Sequence, residues 1–245
     1  MSDEGVSELL GYAILAGVVI TAVICIASGA GGAITAATEG ASFSEASLAI
    51  RSLAATASNV AHANNTYFTA AEIQVPPGYE LLLLDGPDDI ASISVSDGDG
   101  ELFAVREGSI RLQSPFRSVS FEGGGVYSNA SGLADIVRKP SIFIAGHGRA
   151  RSLYIFLTTI ETDTRVVRGG SPVVLGVRAT PGQSISLPAG GPVTIAISST
   201  CPEGWSGTLR DAGFSVSQEG DQVTATMGGI ADVCIDCRAL QVRVE

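Results

Sequence analysis

Several side chains have types and spacings that could do chemistry. Cys234-Ile235-Asp236-Cys237 has the two-residue gap of a dithiol redox pair, which lowers a thiol pKa where a strand runs into a helix. No helical pattern follows it, so the expected chemistry is a structural disulfide joining Cys201 to Cys234 or Cys237, with one thiol left over. A zinc site built from these three and His147 lacks a second pair at metal-ligand spacing, and no metal or other cofactor is expected. Asp97-Gly98-Asp99-Gly100-Glu101 sets carboxylates at alternate positions, as calcium loops do, but the rest of such a loop is missing and a hairpin turn is favoured. Asp85, Asp88 and Asp89 read the same way, as a solvated acidic turn. His147, between Gly146 and Gly148, has the mobility of a general base, yet no acid partner, nucleophile elbow or P-loop accompanies it. It is expected to be a loop histidine, and His62 an interfacial one. Cys25 is expected to be a small apolar residue. Asn64 and Asn129 head Asn-x-Ser/Thr patterns and are candidate glycosylation acceptors.

Composition narrows the classes further. Of 245 residues, 45% are hydrophobic and 16% charged, which excludes a disordered chain. The net charge of −11 excludes the electrostatic footprint of a nucleic-acid binder. The abundance of glycine, 30 residues, favours turn-rich β structure.

The elements that would carry these residues begin with an apolar helix. No charge interrupts residues 9–38, and LLGYAILAGVVITAVICIA within them meets the criterion for a transmembrane span. A helix over this stretch is about 45 Å long, so its end, near Ser28–Ala33, is expected to leave the lipid. A cleaved signal peptide is the competing reading, but residues 1–8 carry Asp3, Glu4 and Glu8 and no basic residue. A retained anchor in the cytoplasmic membrane, single-pass with the C-terminal part outside the cell, is expected. Phe43, Ala46, Ile50, Leu53, Ala57 and Val60 then recur at three- and four-residue intervals, an apolar stripe on a stalk helix with Glu45 and Arg51 on its wet side.

A short polar leader ending at Gly5, an apolar helix, an amphipathic continuation and a β-rich region together resemble archaeal type IV pilin-like surface proteins. GVSELLGYAIL at Gly5–Leu15 is similar to their class III signal region. FEGGGVYSNASG from Phe121, KPSIFIAG from Lys139 and CPEGWSGTLRDAG around Trp205 resemble later segments of an uncharacterised group of those proteins. The resemblance implies cleavage by a prepilin peptidase between Gly5 and Val6, and a helix that packs with other subunits. Asp3-Glu4 stands where the family carries a basic residue, and Glu8 would be the third mature residue where the family glutamate is the fifth.

Beyond the helix, short β-branched or alternating runs recur between turns: Glu80–Leu84, Ala91–Val95, Glu101–Val105, Ile110–Gln113, Ser118–Phe121, Ser152–Thr159, Val173–Val177, Val193–Ser198, Gln222–Thr226 and Ala239–Val244. Pro202 opens one short helix that Gly213 closes. The expected fold class is α+β: a long N-terminal membrane and stalk helix followed by a mainly antiparallel, sandwich-like exported region. The expected divisions are 1–34 leader and transmembrane helix, 35–66 amphipathic stalk, 67–168 β-rich domain and 169–245 second β-rich subdomain. The function expected is a non-enzymatic, membrane-anchored cell-surface protein, a pilin-like subunit for assembly or adhesion. Its partners would be the lipid bilayer, itself or other pilin-like subunits, and a prepilin peptidase. An envelope binding or motor-associated module that forms no filaments is the alternative, and an anchored hydrolase using His147 or the acidic loop a second one.

Overall fold

The structure, a computed structural model, describes residues 3–63, 65–85, 91–130, 132–148, 151–163, 165–170 and 172–245, with the backbone alone at 3–13 and 27–32. The first element is α1 (Asp3–His62). It is followed by β1 (Thr69–Gln74), β2 (Glu80–Leu84), β3 (Ala91–Ser96), β4 (Glu101–Glu107), β5 (Ser109–Gln113), β6 (Arg117–Glu122), β7 (Gly125–Ala130) and β8 (Leu133–Arg138). Then come β9 (Ser141–Ala145), β10 (Ser152–Thr162), β11 (Arg165–Arg168), β12 (Pro172–Pro188), β13 (Val193–Ser198), α2 (Pro202–Asp211), β14 (Ser215–Glu219), β15 (Gln222–Met227) and β16 (Asp232–Val244).

The chain divides into two compact units, Met1–Ser42 and Phe43–Glu245. In the first, every described side chain over residues 14–26 and 33–39 is exposed, among them Ile14, Val18, Ile20, Ile24 and Ile26. Thr21 Oγ1 donates to the Gly17 carbonyl at 2.8 Å, so the one hydroxyl in residues 14–26 is satisfied by the helix itself.

The expected transmembrane helix is corrected here: among the described residues no helix is long and apolar enough to cross a membrane. The single-pass location and the cell-surface placement that rested on that span fall with it. The fold is mostly β rather than a membrane and stalk helix bearing a β domain.

The second unit shows where the apolar stripe goes. Ala46, Ile50, Leu53, Ala57 and Val60 are buried in one cluster with Ile73, Leu175 and Val242 from one sheet and Leu81, Leu112 and Phe121 from another. The periodicity is the one expected, but this segment is a core helix and not a free stalk, and burying Ile50 and Leu53 contributes about 1.5–3 kcal/mol each. Glu45 and Arg51 stay exposed.

The strands form three sheets: β1-β12-β16-β10-β9, β11-β2-β5-β6-β7-β8 and β14-β15-β13-β3-β4. All pairings are antiparallel except β10 with β16, which run parallel from Ser152↔Asp232 to Thr162↔Val242. The first and third sheets both take strands from before and after Arg168, and both lie within the second unit. β12 shifts register between Thr180 and Gln183, where Gly182 passes so close to the Cys237 carbonyl that any Cβ would overlap it. A second apolar cluster, around Trp205, Ile195, Val223, Ile155 and Ile235, joins the first and third sheets to α2.

Candidate functional site

Two glutamates that lie just beyond the expected strands Glu101–Val105 and Ser118–Phe121 turn inward. Glu107, the last residue of β4, and Glu122, the last of β6, are both fully buried, at 0% exposure. Glu122 Oε1 accepts from Trp205 Nε1 at 2.8 Å and from the Ser199 hydroxyl, and Oε2 accepts from Thr200 Oγ1 at 3.3 Å. Arg111 donates in turn to Thr200 Oγ1. Glu107 Oε1 accepts from the Gly123 N–H, while its Oε2 has no hydrogen-bond partner among the described residues. Gly123, with φ +61°, turns the chain so tightly against the Trp205 ring that a Cβ would overlap it.

Burial disfavours both carboxylate charges. Glu107 is pushed well above its ordinary value by desolvation and then by repulsion from Glu122. Glu122 is raised by desolvation too, against the opposing pull of its hydrogen bonds from Ser199 and Trp205. Cys201, the residue before α2, lies 3.0 Å from Ser120 Oγ, and burial followed by the nearby Glu122 raises its thiol. The cluster therefore fastens α2 to β6. Burial holds its thiol in the unreactive protonated form.

The residues singled out by sequence are dispersed. Cys201, Cys234, Cys237 and Cys25 are all free thiols, so the expected disulfide is not formed. Cys234 and Cys237 lie three residues apart along β16, about 10 Å in an extended strand and beyond disulfide reach. Cys237 points into the core, where burial pushes its thiol up to about 11. Cys234 lies 3.4 Å from Ser186 Oγ.

Asp97 forms a turn: its Oδ1 accepts from the Asp99 and Gly100 N–H groups at 2.9 and 3.2 Å. Its Oδ2 accepts from the Gly190 N–H at 2.7 Å, which ties the β3–β4 turn to the β12–β13 loop. These bonds, that of Gly190 first, hold its carboxyl below the usual range. Asp85 Oδ2 accepts from the Thr162 N–H at 2.9 Å, whereas Asp88 and Asp89 lie outside the described residues. Among the described residues no group of three or more His, Cys, Asp or Glu could hold a metal ion.

His147 is exposed in the β9–β10 turn, and His62 Nδ1 lies 2.7 Å from the Ser58 carbonyl. Asn129 sits on β7 beside an open groove of about 410 Å³ that Gln113, Phe116 and Arg117 also line. Its Oδ1 accepts from the Gly132 N–H at 3.0 Å. Asn64 lies outside the described residues, as do the side chains of Val6 and Glu8, which with Gly5 belong to α1.

Helix, three sheets and buried carboxylate latch describe a β-rich protein with one long helix. The family model for DUF7289, a family of unknown function, matches residues 4–244, and the chain belongs to that family. No curated protein and no solved structure matches it. Membership brings no activity with it, and nothing in it bears on the pilin resemblance.

Proposed function

We propose that this chain is a non-enzymatic assembly subunit whose α1 packs against α1 of further copies, leaving the β-rich unit as the part presented to partners. One observation carries the reading: residues 14–26 are apolar on every side of the helix, and all are exposed. Ile14 is 61% exposed, Ile20 59% and Ile26 71%, and together they point in different directions around the helix axis. A helix that is apolar all round is enclosed on all sides, and a monomer in water does not leave so large a continuous apolar surface uncovered. Gly17 has open space where a Cβ would stand, which permits close approach of a neighbouring helix. The packing scheme is the one the pilin resemblance implies. The sealed carboxylates, fully buried beneath α2, favour a structural over a catalytic role.

Sedimentation velocity on the full chain over a range of concentrations tests this. Assembled species are expected, and I20E/I24E is expected to abolish them while the far-ultraviolet spectrum of the β-rich unit is unchanged. A wild-type chain that stays monomeric at every concentration would sink the reading.

A further inference from the structure

Each of the three sheets ends in two edge strands, and an edge is a row of unpaired N–H and C=O groups that another chain can join. Charge is the usual defence against this. Five of the six edges have it: Glu72 on β1, Arg106 on β4, Arg138 on β8, Arg165 on β11 and Glu219 on β14. The exception is β9, Ser141-Ile142-Phe143-Ile144-Ala145, which has no charge, proline or glycine. It pairs on one side with β10, and among the described residues no strand pairs with the other.

β9 also carries an aromatic step. Phe143 stacks on Tyr154 at 5.3 Å between centroids and on Phe156 at 6.0 Å, both within 15° of parallel. Phe143 remains 47% exposed and Phe156 40%. The outward residues Ser141, Phe143 and Ala145 alternate with the half-buried Ile142 and Ile144.

We infer that β9 is a self-pairing edge: β9 of a second copy joins it antiparallel about a two-fold axis at Phe143, making the first sheet continuous across the two chains. The occupant follows from the sequence of the strand. Centred on Phe143, antiparallel pairing sets Ile142 opposite Ile144 and Ser141 opposite Ala145, so each residue meets one of its own polarity class or size on the same face. It also places the two exposed Phe143 rings together at the axis, the isologous arrangement of a closed dimer. A five-residue strand contact is small, so it fixes the mutual orientation of two β-rich units more than it supplies affinity. The inference deepens the assembly reading and rests on it.

Cross-linking and charge exchange on the full chain test the contact. In F143C, oxidation is expected to yield the 143–143 linked peptide at least about tenfold faster than V166C, on the exposed face of β11, yields its own, because paired copies hold their thiols at high effective concentration. Equal rates would overturn the inference. S141K/A145K sets the new lysines opposite one another and is expected to reduce pairing, whereas S141K/A145E sets lysine opposite glutamate at both ends and is expected to restore it. If the two double variants, both folded by circular dichroism, pair equally, the register is wrong and the inference falls. A wild-type chain that assembles normally with collision-rate cross-linking at 143 would remove the β9 contact and spare α1. A chain that never assembles would remove the α1 reading, and the rate comparison still decides β9.

Discussion

Replacing Glu107 with glutamine should change how stability depends on pH. Glu107 is fully buried, its Oε2 has no hydrogen-bond partner among the described residues, and the neighbouring Glu122 repels its charge, so the folded state holds its proton well above the ordinary value of 4.5. The unfolded chain releases that proton near pH 4.5. The stability linked to this group is thus fully present below about pH 4.5 and is lost as pH rises towards the folded value, at about 1.4 kcal/mol per pH unit for one proton. Glu107→Gln keeps an oxygen for the Gly123 N–H and cannot ionise. Its amide donates no more usefully than the protonated carboxyl it replaces, so near pH 4.5 the two proteins should differ by no more than about 1 kcal/mol. Above that, the difference should grow in favour of the variant at about 1.4 kcal/mol per pH unit, until it levels off at the folded pKa. Urea denaturation at half-unit steps from pH 4.5 to 8, followed by circular dichroism, measures it. Parallel curves for the two proteins would refute the argument, because they would mean that Glu107 is already ionised in the fold.

Trp205→Phe removes the indole N–H that Glu122 accepts and should cost about 2 kcal/mol in the same denaturation assay. Gly123→Ala must adopt φ +61° and place a Cβ on the Trp205 ring, so a loss of at least about 2 kcal/mol is expected, read as a lower urea midpoint with unchanged slope. Asp97→Asn should selectively weaken the link to Gly190. Because the Asp97 carboxyl is held below its ordinary value of 3.8, its contribution is present above that value and lost as pH falls, so the variant should lack part of the acid-side decline in thermal midpoint.

Sequence patterning reached the strands whose two faces differ. Val193–Ser198 alternates buried and less buried residues throughout, and its expected limits are those observed. β7 is absent from the expected strands because Gly125, Ser128 and Asn129 interrupt any β-branched or alternating run, although its first four residues are all buried. In a strand covered on both sides, alternation vanishes. The stripe from Phe43 to Val60 was legible as a helix face, but periodicity states that a face is buried and not what buries it. The same limit applied to the latch. Trp205 stood out by type, whereas Glu107 and Glu122 fell just past the expected strand limits, and it is long-range contact with the Gly123 N–H, Ser199 and Trp205 that holds the two carboxylates inside. The lone glutamate between Phe121 and three glycines was the available signal. The dispersal of Cys201, Cys234 and Cys237 depends on long-range register and could not have been read from their spacing.

The position of β16 has a consequence in time. It lies between β12 and β10, so until residues 232–244 arrive the first sheet exists only as two separate pairs, β1 with β12 and β10 with β9. Synthesis proceeds at about 5–20 residues per second, which leaves about 10–40 s between completion of α1 and completion of β16. For that interval Ile50 and Leu53 have no finished core to enter, and once residues 141–162 are made the β9–β10 pair waits with the β10 edge that β16 will take still unpaired. The nascent chain thus carries an incomplete first sheet until residues 232–244 are made, and its yield should depend on how quickly they are delivered.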